Sequence, residues 1–155
     1  MKRIYVLITC LLATSAGAVA LVSSAAGAGG AREGQAAKIQ LRQTSIGKIL
    51  VDSSGFTLYR FTKDTGKANS CINISQCPGT WPALSGAAKP TAGPGVKSSL
   101  LSTIKLPNGS RQLTYAGHPL YRYFSASERG ETAYVGAVEF GGKWLAVNAA
   151  GGLVK

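Results

Sequence analysis

Thr57-Leu58-Tyr59-Arg60-Phe61-Thr62-Lys63-Asp64 decides the fold, because the chain repeats its core as Pro119-Leu120-Tyr121-Arg122-Tyr123. In both stretches aromatic residues alternate with an arginine, the period-two pattern of a half-buried strand. Tyr59, Phe61, Tyr121 and Tyr123 therefore fall on one sheet face, with Arg60 and Arg122 on the other. A tryptophan follows each stretch, Trp81 in Gly79-Thr80-Trp81-Pro82 and Trp144 in Gly142-Lys143-Trp144-Leu145.

Sliding the chain by 62 residues lays Gly55 on Gly117, Leu58 on Leu120, Tyr59 on Tyr121 and Arg60 on Arg122. Sliding by 63 lays Gly79 on Gly142, Trp81 on Trp144 and Leu84 on Val147. A duplicated unit of roughly sixty residues accounts for both registers, and two such units sharing one core avoid the marginal stability of either alone. Where chemistry might sit the copies differ at three places: Asp64 aligns with Ala126, Phe56 with His118, and Cys71 and Cys77 have no cysteine counterparts.

Outward from these stretches the chain reads as mainly β. Ile49-Leu50-Val51 and Phe56 to Phe61 flank Asp52-Ser53-Ser54-Gly55, a hairpin signal. Leu100 to Leu106 and Arg111 to Tyr115 flank Pro107-Asn108-Gly109-Ser110, where Asn-Gly suits a type I′ turn. Val135 to Phe140 and Lys143 to Asn148 flank Gly141-Gly142, a third hairpin. No long window carries a helical period.

Met1-Lys2-Arg3 and the apolar run Ile4 to Leu12, followed by small residues, form an export signal. The apolar character persists to Val22, long enough for an uncleaved anchor. The expected organisation is a signal peptide or anchor over residues 1–28, a flexible tether over 29–45 and one β domain over 46–150. Its repeats lie at about 46–86 and 100–150, with a Pro- and Gly-rich linker over 87–99. The formal charge is +11. Beyond Lys2-Arg3 its lysines and arginines stand singly, without the run of an arm that binds nucleic acid. An anionic envelope component or an extracytoplasmic protein is the partner class this charge and the export signal favour; membrane contact is expected only through the N-terminal segment.

Cys71 and Cys77 are an even pair in an exported chain and read as a disulfide. Metal binding would need two further ligands, and His118 is the sole histidine. Cofactor and metal are therefore both expected to be absent. Asp64 suits a turn cap or a bond to a tyrosine hydroxyl, and a general acid/base role would need a second polar partner in reach. Trp81 and Trp144 suit core pillars, each with an indole N–H to satisfy. No nucleophile elbow, phosphate loop or metalloprotease motif is present.

Tyr59-Arg60-Phe61-Thr62-Lys63-Asp64, Cys71, Cys77, Trp81-Pro82 and the run Tyr115 to Tyr121 resemble a bacterial family of secreted repeats. That family, often lipoproteins, is marked by Tyr-x-aromatic-x-x-Asp and has no characterised function. The resemblance covers about residues 46–150; it departs at Ala126, where the second acid is missing, and at Leu7-Ile8-Thr9-Cys10, a poor lipidation box. Two functions are in view. The first is an exported envelope module that binds or scaffolds without catalysis. The alternative is a redox accessory that contacts haem, quinone or metal through the aromatic face and His118.

Overall fold

The computed structural model describes residues 37–86 and 89–155. The signal segment, Cys10 and residues 29–36 of the expected tether lie outside them. In chain order the strands are β1 (Lys38–Thr44), β2 (Gly47–Val51), β3 (Tyr59–Phe61), β4 (Thr91–Ala92) and β5 (Leu101–Lys105). Then come β6 (Arg111–Tyr115), β7 (His118–Pro119), β8 (Val138–Glu139), β9 (Gly142–Val147) and β10 (Leu153–Val154). Among the described residues helix is confined to the four residues of α1 (Cys77–Thr80) and two 3₁₀ turns.

Three small sheets share the interior, ordered β2-β1-β4, β10-β9-β3 and β5-β6-β7, with β8 also paired to β9. The first departs from expectation. Strand β1 begins at Lys38 and forms a full hairpin with β2, so the tether boundary at 45 falls inside ordered structure. Ile39 is wholly buried there, which a tether residue would not be. Part of the expected linker is also structured, since Thr91 and Ala92 pair in parallel with Lys38 and Ile39.

Asp52-Ser53-Ser54-Gly55 does turn the chain, with a single bridge from Val51 to Thr57. Asp52 Oδ1 accepts the Ser54 and Phe56 N–H groups at 2.8 and 3.0 Å, closing that turn with a side chain. Strand β3 nevertheless leaves β2 and pairs with β9, Tyr59 opposite Ala146 and Phe61 opposite Trp144. Each aromatic stretch thus pairs with the tryptophan segment of the other repeat: Tyr121 bridges Ala83, as Tyr59 pairs with Ala146. Phe124 N–H donates to the Thr80 carbonyl at 3.0 Å, just as Thr62 N–H donates to Lys143 at 2.9 Å.

The two stretches also meet each other. Tyr59 and Tyr121 exchange both backbone hydrogen bonds, each at 3.0 Å. Residues aligned by the repeat are therefore in contact across an approximate two-fold axis. The repeats are interlocked, and neither contains the strand partner it needs.

The two other hairpins form where expected, with different turns. At Asn108-Gly109 only Gly109 has positive φ, so the turn is not type I′. Asn108 Oδ1 instead accepts the Ser110 N–H at 3.0 Å, satisfying locally what the ladder does not. Between β8 and β9 the two turn residues are Phe140 and Gly141, at φ 57° and 80°. Phe140 accepts the left-handed conformation that costs a side-chain-bearing residue about 1 kcal/mol or more; it packs against the aromatic core in return.

Candidate functional site

Two clusters fill the interior. The aliphatic one contains Leu58 and Leu120, and Leu84 and Val147, each pair related by the repeat, together with Leu50 and Leu113. The aromatic one contains Tyr59, Phe61, Trp81, Tyr121 and Trp144 with both cysteines. Strand periodicity separates them, since Leu58 and Tyr59 point to opposite sides.

At the centre Trp81 and Trp144 stack with centroids 4.1 Å apart and planes 2° apart. Phe61 extends the stack on Trp144 at 4.2 Å and 8°. Its counterpart Tyr123 meets Trp81 at 4.9 Å but tilted by 58°, and stacks on Tyr134 at 3.6 Å. Tyr59 lies edge-on to Trp81 and Tyr121 edge-on to Trp144, both at 5.1 Å. Gly142 permits this closeness, because a Cβ there would stand 2.6 Å from the Phe61 ring. The central rings are buried, Trp81 and Trp144 completely. They form a packed pillar in which neither tryptophan offers a face to solvent.

The polar ends of the pillar differ. Trp81 Nε1–H donates to Glu139 Oε2 at 2.7 Å, whereas buried Trp144 Nε1 has no partner among the described residues. Tyr121 O–H donates to Asp64 Oδ2 at 2.8 Å, and Asp64 Oδ1 accepts the Ser70 N–H at 2.7 Å. Asp64 is thus held between a hydroxyl and the start of the cysteine loop, six residues along. In the other repeat Ala126 offers no acceptor, and Tyr59 O–H turns to the Glu131 carbonyl at 3.4 Å. Burial raises the Asp64 carboxyl above its ordinary range, with the Ser70 and Tyr121 bonds opposing. Burial also raises both hydroxyls, Tyr121 further through the Asp64 charge and Tyr59 through Glu131.

Cys71 and Cys77 are bonded, with their Cα atoms 5.4 Å apart. At the same six-residue spacing the second repeat carries Tyr134 and Phe140, both packed against the aromatic cluster. One copy ties its loop covalently and the other fills the space with rings.

On the opposite sheet face Arg122 lies 4.9 Å over Phe56 and pairs with Asp52 at 3.2 Å. Its counterpart Arg60 has Thr114 where an acid would align, and donates instead to the Gly151 carbonyl at 3.0 Å. His118, the counterpart of Phe56, is half-buried on β7; burial lowers its pKa, and the Arg60 charge adds to this. Burial likewise lowers that of Arg60. The Arg60 charge that acts on His118 stands on the sheet face opposite Tyr59 and Phe61.

Sequence reading missed Glu139, Tyr134, Phe140 and Gln112. Gln112 is fully buried and donates to the Leu120 carbonyl at 2.9 Å while accepting from Asn69 at 2.8 Å. The spacing of Tyr134 and Phe140, equal to that of the cysteines, was the one signal available for two of them. Nothing in the sequence marks Glu139, and Gln112 is marked only as part of the family resemblance, without a role.

The surface is dominated by cations. Every described lysine is exposed, as are Arg42, Arg111 and Arg129. Of the described acids only Glu128 is exposed, the others being buried or half-buried. Arg42 and Arg129 line a recess of about 200 Å³ beside Ser53, Ser54 and Gln40, with no acid in its wall.

The chain belongs to the lipoprotein family described as a secreted repeat of unknown function, whose model matches residues 41–85 and 102–148 as two copies. No curated protein and no solved structure matches it. The two matches coincide with the interlocked halves.

Proposed function

Starting from membership in that secreted-repeat family, we propose that the chain is a non-catalytic cell-envelope module that binds an anionic envelope component. What carries this reading is how the acids are used. Asp52, Asp64 and Glu139 are taken up by internal contacts, to Arg122, Tyr121 and Trp81 respectively. Among the described residues the exposed lysines and arginines form no ion pair, which leaves a field that draws polyanions. Arg42 and Arg129 give that field a recess with serine hydroxyls and an amide beside the guanidinium groups. The closed aromatic pillar supports a structural role for Tyr59, Phe61, Trp81, Tyr121 and Trp144.

The test is co-sedimentation of the exported protein with phosphatidylglycerol vesicles and with phosphatidylcholine vesicles. Binding to the anionic vesicles should fall steeply as salt shortens the screening length from about 10 Å at 0.1 M. Reversing charge with Arg42→Glu and Arg129→Glu should weaken it further. Equal binding to both vesicle types, or a turnover lost in folded Asp64→Ala protein, would contradict the proposal.

A further inference from the structure

The repeats differ in one strand edge. Ala146 of β9 and Asn148 just beyond it face β10, which the chain supplies itself. Val154 pairs with Ala146, and Asn148 N–H donates to the Gly152 carbonyl at 2.9 Å. The counterparts of Ala146 and Asn148 are Ala83 and Ser85. Their segment is held on one side only: Leu84 N–H donates to Leu120, Leu113 N–H to Leu84, and Gly86 N–H to Arg111. Since successive residues of a strand present their N–H and C=O to opposite edges, Ala83 and Ser85 point the other way. Among the described residues neither N–H has a backbone acceptor, and the Ala83 carbonyl has only a 3.4 Å contact from Ser85 Oγ. Among the described residues the chain does not return to this edge as β10 does; Thr91 and Ala92 pair with β1 instead.

Two recesses adjoin that edge, both bordered by Pro82, Ala83 and Ser85. One, about 310 Å³, is walled by Arg122, Tyr123 and Phe124. The other, about 280 Å³, is walled by Ile72, Trp81 and Leu106. Phe124 is 63 % exposed, an aromatic ring left open to solvent beside an open strand.

We propose that the edge at Ala83 and Ser85 accepts an extended segment of an extracytoplasmic partner protein as an added strand, with a bulky apolar side chain in an adjoining recess. The occupant is read from the chain itself: the equivalent edge is covered by the short extended pair Leu153–Val154. Backbone bonds supply the pairing, and alternate side chains of the added strand meet the recess on each face. This edge is independent of the Arg42–Arg129 recess, so the same molecule can hold a polyanion and a protein strand.

A synthetic peptide with the sequence Ala150–Lys155 is the probe, added to the exported protein while amide exchange is followed residue by residue. At ten times its dissociation constant it should slow exchange of the Ala83 and Ser85 amides about tenfold, and shift the Phe124 ring resonances. The same peptide N-methylated at Val, whose N–H is the one that faces the paired strand in β10, should not do so. Phe124→Ala should weaken peptide binding several-fold with Asn148 protection unchanged. The proposal is overturned if both amides are already protected in the free protein, or if the N-methylated peptide binds equally well. It is overturned equally if protection rises with protein concentration alone, which would make the occupant a second copy.

Discussion

The two repeats reach the same backbone by different means. Both use a leucine-tyrosine-arginine strand, a central tryptophan and an aromatic ring after the arginine. The first fixes its loop with Cys71–Cys77 and ties Asp64 to Tyr121 of the other copy. The second has neither; Tyr134 and Phe140 occupy the space, and a main-chain carbonyl takes the Tyr59 hydroxyl. The contrast separates what the fold requires from what it tolerates. Crossed strand pairing and stacked tryptophans appear in both halves, whereas the acid, the disulfide and the histidine appear in one.

The largest effect should come from cutting between the halves. Residues 37–93 or 94–155 alone should lack stable structure by circular dichroism, because each then exposes a strand whose partner lies in the other. Next, Trp144→Ala and Trp81→Ala should each cost about 3–5 kcal/mol in denaturant unfolding. The Trp81 change should cost more, since it also strands the buried end of Glu139.

Replacing Cys71 and Cys77 together by serine should cost on the order of 2–3 kcal/mol, the loop-closure value for so short a ring. Exchange protection should fall around Ser70 to Trp81 and hold in the second repeat. Asp64→Ala should cost about 1–3 kcal/mol by leaving the Tyr121 hydroxyl and Ser70 N–H without acceptors. Asp64→Asn should cost less, because an amide can still serve both.

The smallest effects concern pH. Burial raises the Asp64 carboxyl, so the folded state holds that proton more tightly than the unfolded chain does. The stability it contributes is complete below the ordinary carboxylate range and is lost as pH rises through the raised value; Asp64→Asn should remove this slope. His118 runs the other way: its lowered pKa makes its contribution complete above the ordinary imidazole value and lost as pH falls below it. His118→Phe, which copies Phe56, should flatten thermal melting between neutral and mildly acidic pH.

Much of the fold was legible in residue pattern. Period-two alternation marked β3, and the turn residues located the hairpins at Asn108-Gly109 and Gly141-Gly142. The double register of Tyr59 with Tyr121 and Trp81 with Trp144 gave the duplication. What the pattern could not show was partner choice. A strand pairing depends on which edge is free in three dimensions, and Tyr59 carries no mark that sends it to Ala146 rather than Ala83. Strand β1 was hidden because Lys38 to Thr44 mixes charged and apolar residues in a short run after a glycine-rich segment. The fate of Asp64 was legible as a choice between two bonds, while Glu139 beneath Trp81 lies 58 residues away and is visible only once the chain is folded.

Crossed pairing is the claim on which the rest depends, and cross-strand nuclear Overhauser effects between backbone protons test it most directly. Contacts of Tyr59 with Ala146 and of Tyr121 with Ala83, together with Tyr59 to Tyr121, are the expected result. Contacts of Tyr59 with Ala83 and of Tyr121 with Ala146 would mean that each repeat closes on itself, and would contradict the account.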